Sequence, residues 1–197
     1  MQGREEMFMR QTIWLVVLLL ASAAVASAQE EKASKHEGYA GEERREIKSL
    51  SAEEVEGLLN GHGMGLAQAA ELKHYPGPRH VLELAAELRL TPEQRTQTQA
   101  TFARMRGEAV RLGRLIVERE RALDASFAKG EIDASRLRAA TAGIARLQGD
   151  LRAAHLAAHL EMRRLLSPPQ IKKYDELRGY ASGHKADAPH GRDHGKH

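Results

Sequence analysis

Residues 92–128 read PEQRTQTQATFARMRGEAVRLGRLIVERERALDASFA, with no proline after the first residue and only Gly107 and Gly113 as glycines. Phe102, Met105, Ala109, Leu112, Ile116, Leu123 and Phe127 recur at helical spacing, which predicts one amphipathic helix about 55 Å long at ~1.5 Å per residue. The next stretch, Lys129-Gly130-Glu131-Ile132-Asp133, reads as a turn, with Gly130 suited to a left-handed helix end and Asp133 to capping the next helix. A second long helix then runs to about residue 166, with Leu137, Ala140, Ile144, Leu147, Leu151, Ala154, Ala158, Met162 and Leu165 as its apolar stripe. Two long helices joined by so short a turn lie antiparallel. The expected fold is therefore all-α, a long helical hairpin with short helices flanking it.

The flanks follow from local signals. Ser51-Ala52-Glu53-Glu54 is a capping box that starts a short helix ending at Asn60-Gly61. Residues 62–78 are rich in glycine and small side chains, and Pro76-Gly77-Pro78 turns the chain into a helix over about 79–88. A last helix spans about 168–179. Leu90-Thr91-Pro92-Glu93-Gln94 and Leu166-Ser167-Pro168-Pro169-Gln170 repeat one pattern, L-[ST]-P-x-Q, ahead of two helices. In each, the hydroxyl caps the helix, proline fits the first helical position and Gln94 or Gln170 reaches back to the capping residue's N–H. Leu166 can clasp Ile171 as a hydrophobic staple. On this reading the motif residues build corners and touch no ligand.

Residues 1–28 carry an uncharged run, 13–25, behind Arg4 and Arg10 and ahead of Ala26-Ser27-Ala28, which reads as a secretory signal peptide cleaved near Ala28. The run is short of the ~20 apolar residues a membrane span needs. A periplasmic protein is expected. Residues 29–50 form an acidic, flexible arm, residues 51–180 the helical domain, and residues 181–197 a His-rich disordered tail. The 197-residue chain carries a formal charge of +3, but residues 29–60 hold nine acids against five bases and the two long helices thirteen arginines against seven acids. The hairpin surface is therefore basic and suits acidic polypeptides, anionic lipid or polyanions.

Absence of cysteine excludes thiol catalysis, disulfides and thiolate metal sites. After cleavage the aromatics are two Phe and four Tyr, too few for the stacking platforms of single-stranded nucleic acid, so no nucleic-acid partner is expected. No phosphate loop, nucleophile elbow or paired carboxylates stand in a recognisable context, so the chain is not expected to be an enzyme. A thin hairpin lined by Leu and Ala buries little area, which points to a homodimer.

The chain has ten histidines. His184, His190, His194 and His197 crowd the tail, where neutral imidazoles can wrap Zn, Cu or Ni without preorganisation. His155 and His159 are four apart on the second long helix with Met162 three further on, a spacing that can chelate one ion with ligands from His62, His74, His80 or a second protomer. Leu156, Ala157 and Ala158 lie between the pair, so the H-E-x-x-H metalloprotease motif is absent. The simplest reading leaves both imidazoles flanking the apolar seam, partly exposed. No cofactor is required on any of these readings.

The paired L-[ST]-P-x-Q boxes, set either side of a long helical hairpin in an exported cysteine-free chain, resemble the repeated LTxxQ motif of the Spy/CpxP family of periplasmic proteins. The resemblance covers residues 58–180 and includes His80-Val81-Leu82-Glu83-Leu84. Ser167 stands where the family has Thr, and Pro169 is an additional proline. The resemblance implies a cradle-shaped antiparallel dimer that holds unfolded envelope proteins without nucleotide during envelope or metal stress. Heavy-metal binding or sensing through the histidines, with a membrane signalling protein as partner, is the alternative it implies. A lipid- or polyanion-associated structural protein is the third reading.

Overall fold

The computed structural model describes Tyr39 and residues 41–180, and every regular element among them is helical. The expected signal peptide, residues 29–38 of the arm and the tail with His184, His190, His194 and His197 lie outside the described residues. The chain divides after residue 44 into two units. In the first, the described residues form one 3-10 turn, Glu42–Arg44, where the Gly41 N–H donates to Glu43 Oε2 at 2.6 Å.

The described residues of the second unit hold six α-helices: α1 (Ala52–Asn60), α2 (Gln68–Glu71), α3 (Pro78–Glu83), α4 (Pro92–Ala128), α5 (Ala134–Leu165) and α6 (Pro168–Arg178). α4 and α5 are the expected hairpin, with Gly130 at φ +67° in the turn and Asp133 Oδ1 accepting from the N–H groups of Ser135 and Arg136. α1 starts at the expected capping box on Ser51 and ends at a left-handed Gly61. It crosses α4 so closely that a Cβ on Gly113 would lie 2.0 Å from the Leu58 carbonyl oxygen. A glycine inside a helix costs about 1 kcal/mol against alanine, and here it permits the crossing. The helix expected over 79–88 is shorter: α3 ends at Glu83 and turns continue to Arg89, which takes a left-handed φ of +49° and redirects the chain into the Thr91 cap. α2, only four residues long, has too little length for a periodic signal.

Two apolar clusters hold this arrangement. One joins α1, α4 and α5 through Leu58, Leu112, Ile116 and Leu151, and it includes Ile47, which is 2 % exposed with Leu50 packed beside it. Ile47 and Leu50, grouped with the arm on composition, therefore pack into the core. The second cluster joins Val81, Leu88, Met162, Leu166, Ile171 and Tyr174 at the other end, and it contains both halves of the expected Leu166–Ile171 staple. Each fully buried Leu or Ile contributes on the order of 1.5–3 kcal/mol. Between Val117 and Ile144 no residue is buried: Phe127 is 56 % and Leu137 38 % exposed. The apolar stripes of both helices run on through this stretch. Only two helices meet at the hairpin's far end, so an apolar face has nothing further to pack against.

The motif glutamines meet where α4 begins and α5 ends. Gln94 Oε1 accepts from the Thr91 N–H at 3.1 Å and Gln170 Oε1 from the Ser167 N–H at 2.9 Å, as the capping reading requires. Each amide nitrogen donates to the other's oxygen, at 2.9 and 2.8 Å, and also to a carbonyl of the opposite strand of chain, Leu165 for Gln94 and Leu88 for Gln170. The repeat is thus a matched pair of corners bonded to each other.

Candidate functional site

The segment between α1 and α3 folds over the middle of the hairpin and leaves a cavity of about 630 Å³ beneath it. Loop residues 61–67 and α2 form one wall, Phe102 and Met105 of α4 a second, and His155 and His159 of α5 the floor. His155 is 3 % and His159 7 % exposed, which corrects the expectation of two partly exposed imidazoles on the seam. The covering segment buries them. Its glycine, proline and histidine content gives no period from which such packing could be read.

The two rings differ in what holds them. His159 Nδ1 donates to the Tyr75 carbonyl at 2.7 Å and lies 3.6 Å from Glu71 Oε2, so in the neutral ring Nε2 carries the free lone pair. That nitrogen is approached by Gly77, where a Cβ would sit 3.2 Å from it. His155 Nε2 is buried without any hydrogen-bond partner. Burial first, and neighbouring His159 second, push the His155 pKa below the usual imidazole range, so the ring is neutral at pH 7. An unsatisfied buried nitrogen costs about 1–3 kcal/mol, a cost a structural histidine would normally avoid.

Glu71 organises the rim. Its carboxylate accepts from the Tyr174 hydroxyl and, at 3.3 Å, from the Tyr180 hydroxyl, with His80 Nδ1 at 3.4 Å and Arg178 Nε at 3.5 Å. Tyr174 is fully buried and also accepts from the Gly77 N–H at 3.3 Å; burial, then Glu71, pushes its pKa well above the ordinary tyrosine value. These contacts tie α6 to the cavity wall. Neither Glu71 nor the tyrosines were singled out from sequence, and a lone acid directly after the small-residue run 64–70 is the one signal that marked the place.

The other sequence candidates separate. His62 and His80 line the cavity, whereas His74 turns to Asp175 at 2.9 Å. Met162, on the same side of α5, is fully buried in the second apolar cluster and does not line the cavity. Among the described residues no group of three or more His, Asp or Glu side chains is arranged to hold a metal ion. What the cavity does offer is two adjacent imidazoles, one oriented through its far nitrogen and one unpartnered, with the thioethers of Met64 and Met105 on the same walls.

Comparison with known proteins gives one match: the model of the heavy-metal resistance family covers residues 58–173, a family related to the Spy/CpxP-like all-helical periplasmic proteins. No curated protein and no solved structure matches the chain.

Proposed function

The chain belongs to the heavy-metal resistance family, and from that premise we propose that it is an exported metal-capture protein whose receiving groups are His155 and His159. The observation that carries this reading is the buried, unpartnered Nε2 of His155 beside an imidazole already oriented through Nδ1. Metal-ligating histidines characteristically donate their second ring N–H to a carbonyl or carboxylate, which fixes the ring and leaves the other nitrogen to the ion. His159 has that partner in Tyr75 O, with Glu71 behind it. The ion is cargo here, and the protein's part is to hold the two imidazoles buried and oriented for it. The tail histidines act as an outer collector. No helix among the described residues is long and apolar enough to cross a membrane.

Calorimetry with Zn(II), Cu(II) and Ni(II) tests this reading. Binding tighter than about micromolar, roughly −8 kcal/mol, is expected. Part of it should be lost on replacing the four tail histidines and the rest on replacing His155 and His159 by Ala. Binding unchanged by the second replacement refutes the internal site.

A second reading, nucleotide-independent capture of unfolded envelope proteins by a homodimer, is favoured by the hairpin's outer end. There Phe127 and Leu137 are exposed, and Arg138 beside Leu137 has no ion-pair partner among the described residues. An apolar patch rimmed by arginine suits loosely structured acidic clients. Suppression of aggregation of several unrelated clients, retained without residues 181–197, is expected; no protection of any removes this reading.

A further inference from the structure

We infer that the cavity is a site for a soft monovalent ion, Cu(I) or Ag(I), held by the imidazoles of His155 and His159 with the thioethers of Met64 and Met105 and closed by the glycine loop 61–65. The inference rests on the metal-capture reading and names the class of ion. Three methionines are described, at 64, 105 and 162; Met162 is sealed in the apolar core, and the other two both line this one cavity. In a chain without cysteine, thioether sulfur is the softest donor available, and thioether with neutral imidazole selects monovalent copper and silver over oxygen-seeking divalent ions.

Charge points the same way. Glu71 is the only acid on the cavity wall; its Oε1 is already taken by Tyr174, Tyr180 and the Arg178 side chain, and its Oε2 lies 3.6 Å from His159 Nδ1, the nitrogen that faces away from the ion. Arg106, also on the wall, has no ion-pair partner among the described residues. The cost of moving an ion out of water rises with the square of its charge, so a divalent ion without carboxylate ligands pays about four times what a monovalent one does.

The loop supplies a means of entry. Met64 takes φ +41°, a left-handed conformation that costs a residue with a Cβ about 1–2 kcal/mol, between Gly63 and a Gly65 at φ +77° with open space around it. Gly63 lies against the His155 ring: a Cβ there would be 4.0 Å from Cε1 and Nδ1. The Met64 sulfur is seated against Gly57 of α1, where a Cβ would come within 2.4 Å of it. A strained methionine on a glycine hinge, 46 % exposed and lining the same cavity as two buried imidazoles, can release outward to admit an ion and close on it.

The test uses the full chain with His184, His190, His194 and His197 replaced by Ala, titrated with Ag(I), with Cu(I) under anaerobic competition against a chelator, and with Zn(II). One Ag(I) or Cu(I) per chain is expected, at least tenfold weaker in the Met64→Leu/Met105→Leu variant and in Gly57→Ala, which displaces the sulfur, and at least a hundredfold weaker in His155→Ala/His159→Ala. Methyl NMR of methionine, which needs no variant to fold, should show Met64 and Met105 shifting with Ag(I) while Met162 stays still. If Zn(II) binds the same histidines as tightly as Ag(I) and the methionine variants change nothing, the soft-ion inference is overturned and the metal-capture reading stands. If no ion depends on His155 and His159, both fall.

Discussion

Gln94 and Gln170, equivalent residues of the two L-[ST]-P-x-Q repeats and 76 positions apart, exchange amide hydrogen bonds at 2.9 and 2.8 Å. Both amides are fully used: Gln94 Oε1 accepts two bonds, Gln170 Oε1 a third from the Ser167 hydroxyl, and each nitrogen donates two. Capping alone would need only the oxygen. The amide nitrogen is what joins the two corners and fixes where α6 leaves the hairpin. Glu is nearly isosteric and keeps the cap acceptor but cannot donate. Gln94→Glu and Gln170→Glu should therefore each lower stability by about 1–3 kcal/mol, a larger loss than exposed capping changes give. A double-mutant cycle in urea checks the pairing: a coupling energy of at least about 0.5 kcal/mol is expected, and additive losses would show that the glutamines act separately.

Two glycines of α4 should respond in opposite directions. Gly107 faces open space, so Gly107→Ala should stabilise by up to about 1 kcal/mol through helix propensity. At Gly113 the new Cβ would meet the Leu58 carbonyl at 2.0 Å, and backbone cannot give way as a side-chain tip can. Gly113→Ala should cost more than about 2 kcal/mol, as overpacking in a core does. Denaturant midpoints for the two variants decide the point, and a neutral Gly113→Ala would mean that α1 does not cross α4 this closely.

The hairpin was legible because its signals are local. Period, the caps at Thr91 and Asp133 and the glycine of the turn each lie within a few residues of what they specify, and both long helices fall within a residue or so of the expected bounds. Burial is not local. An apolar stripe says which face would pack but not whether a partner exists, so Phe127 reads like Leu112 although only Leu112 is covered. The same gap hid the site. His155 and His159 sit among alanines at the edge of the stripe, and what buries them is a segment near residues 61–77 whose structure comes from turns and a four-residue helix. The glutamine pairing was half legible: the bond to each cap follows from spacing, whereas the bond across 76 residues does not.

Tyr174 anchors α6 to the cavity through Glu71 and the Gly77 N–H. Tyr174→Phe keeps the ring's packing and removes only the hydroxyl, leaving a nearly buried carboxylate one donor short and a buried N–H unpaired. A loss of about 1–3 kcal/mol is expected, with faster amide exchange in α6 than in α4. Uniform loosening of all helices would instead assign Tyr174 a purely global role.

Acid should weaken the metal-free protein through His155. Its pKa is depressed in the folded chain, by burial first and by His159 second, whereas in the unfolded chain it titrates near the ordinary value of about 6.5. Below that pH the unfolded state binds a proton that the folded state refuses, so stability is fully present above about pH 6.5 and falls as the medium is acidified, by up to about 1.4 kcal/mol per pH unit. The depressed acids Glu53, Glu93, Glu108, Asp133 and Glu161 act only below their own ordinary range, near pH 4.5, and leave this window clear. His155→Leu removes the titrating group together with its unpartnered nitrogen. In chelator-containing buffer the variant should match or exceed the parent's stability at pH 7.5, and its advantage should widen toward pH 5.5. Parallel pH profiles for the two proteins would mean that His155 takes up its proton as readily in the folded chain as in the unfolded one, and that burial does not hold the proton off.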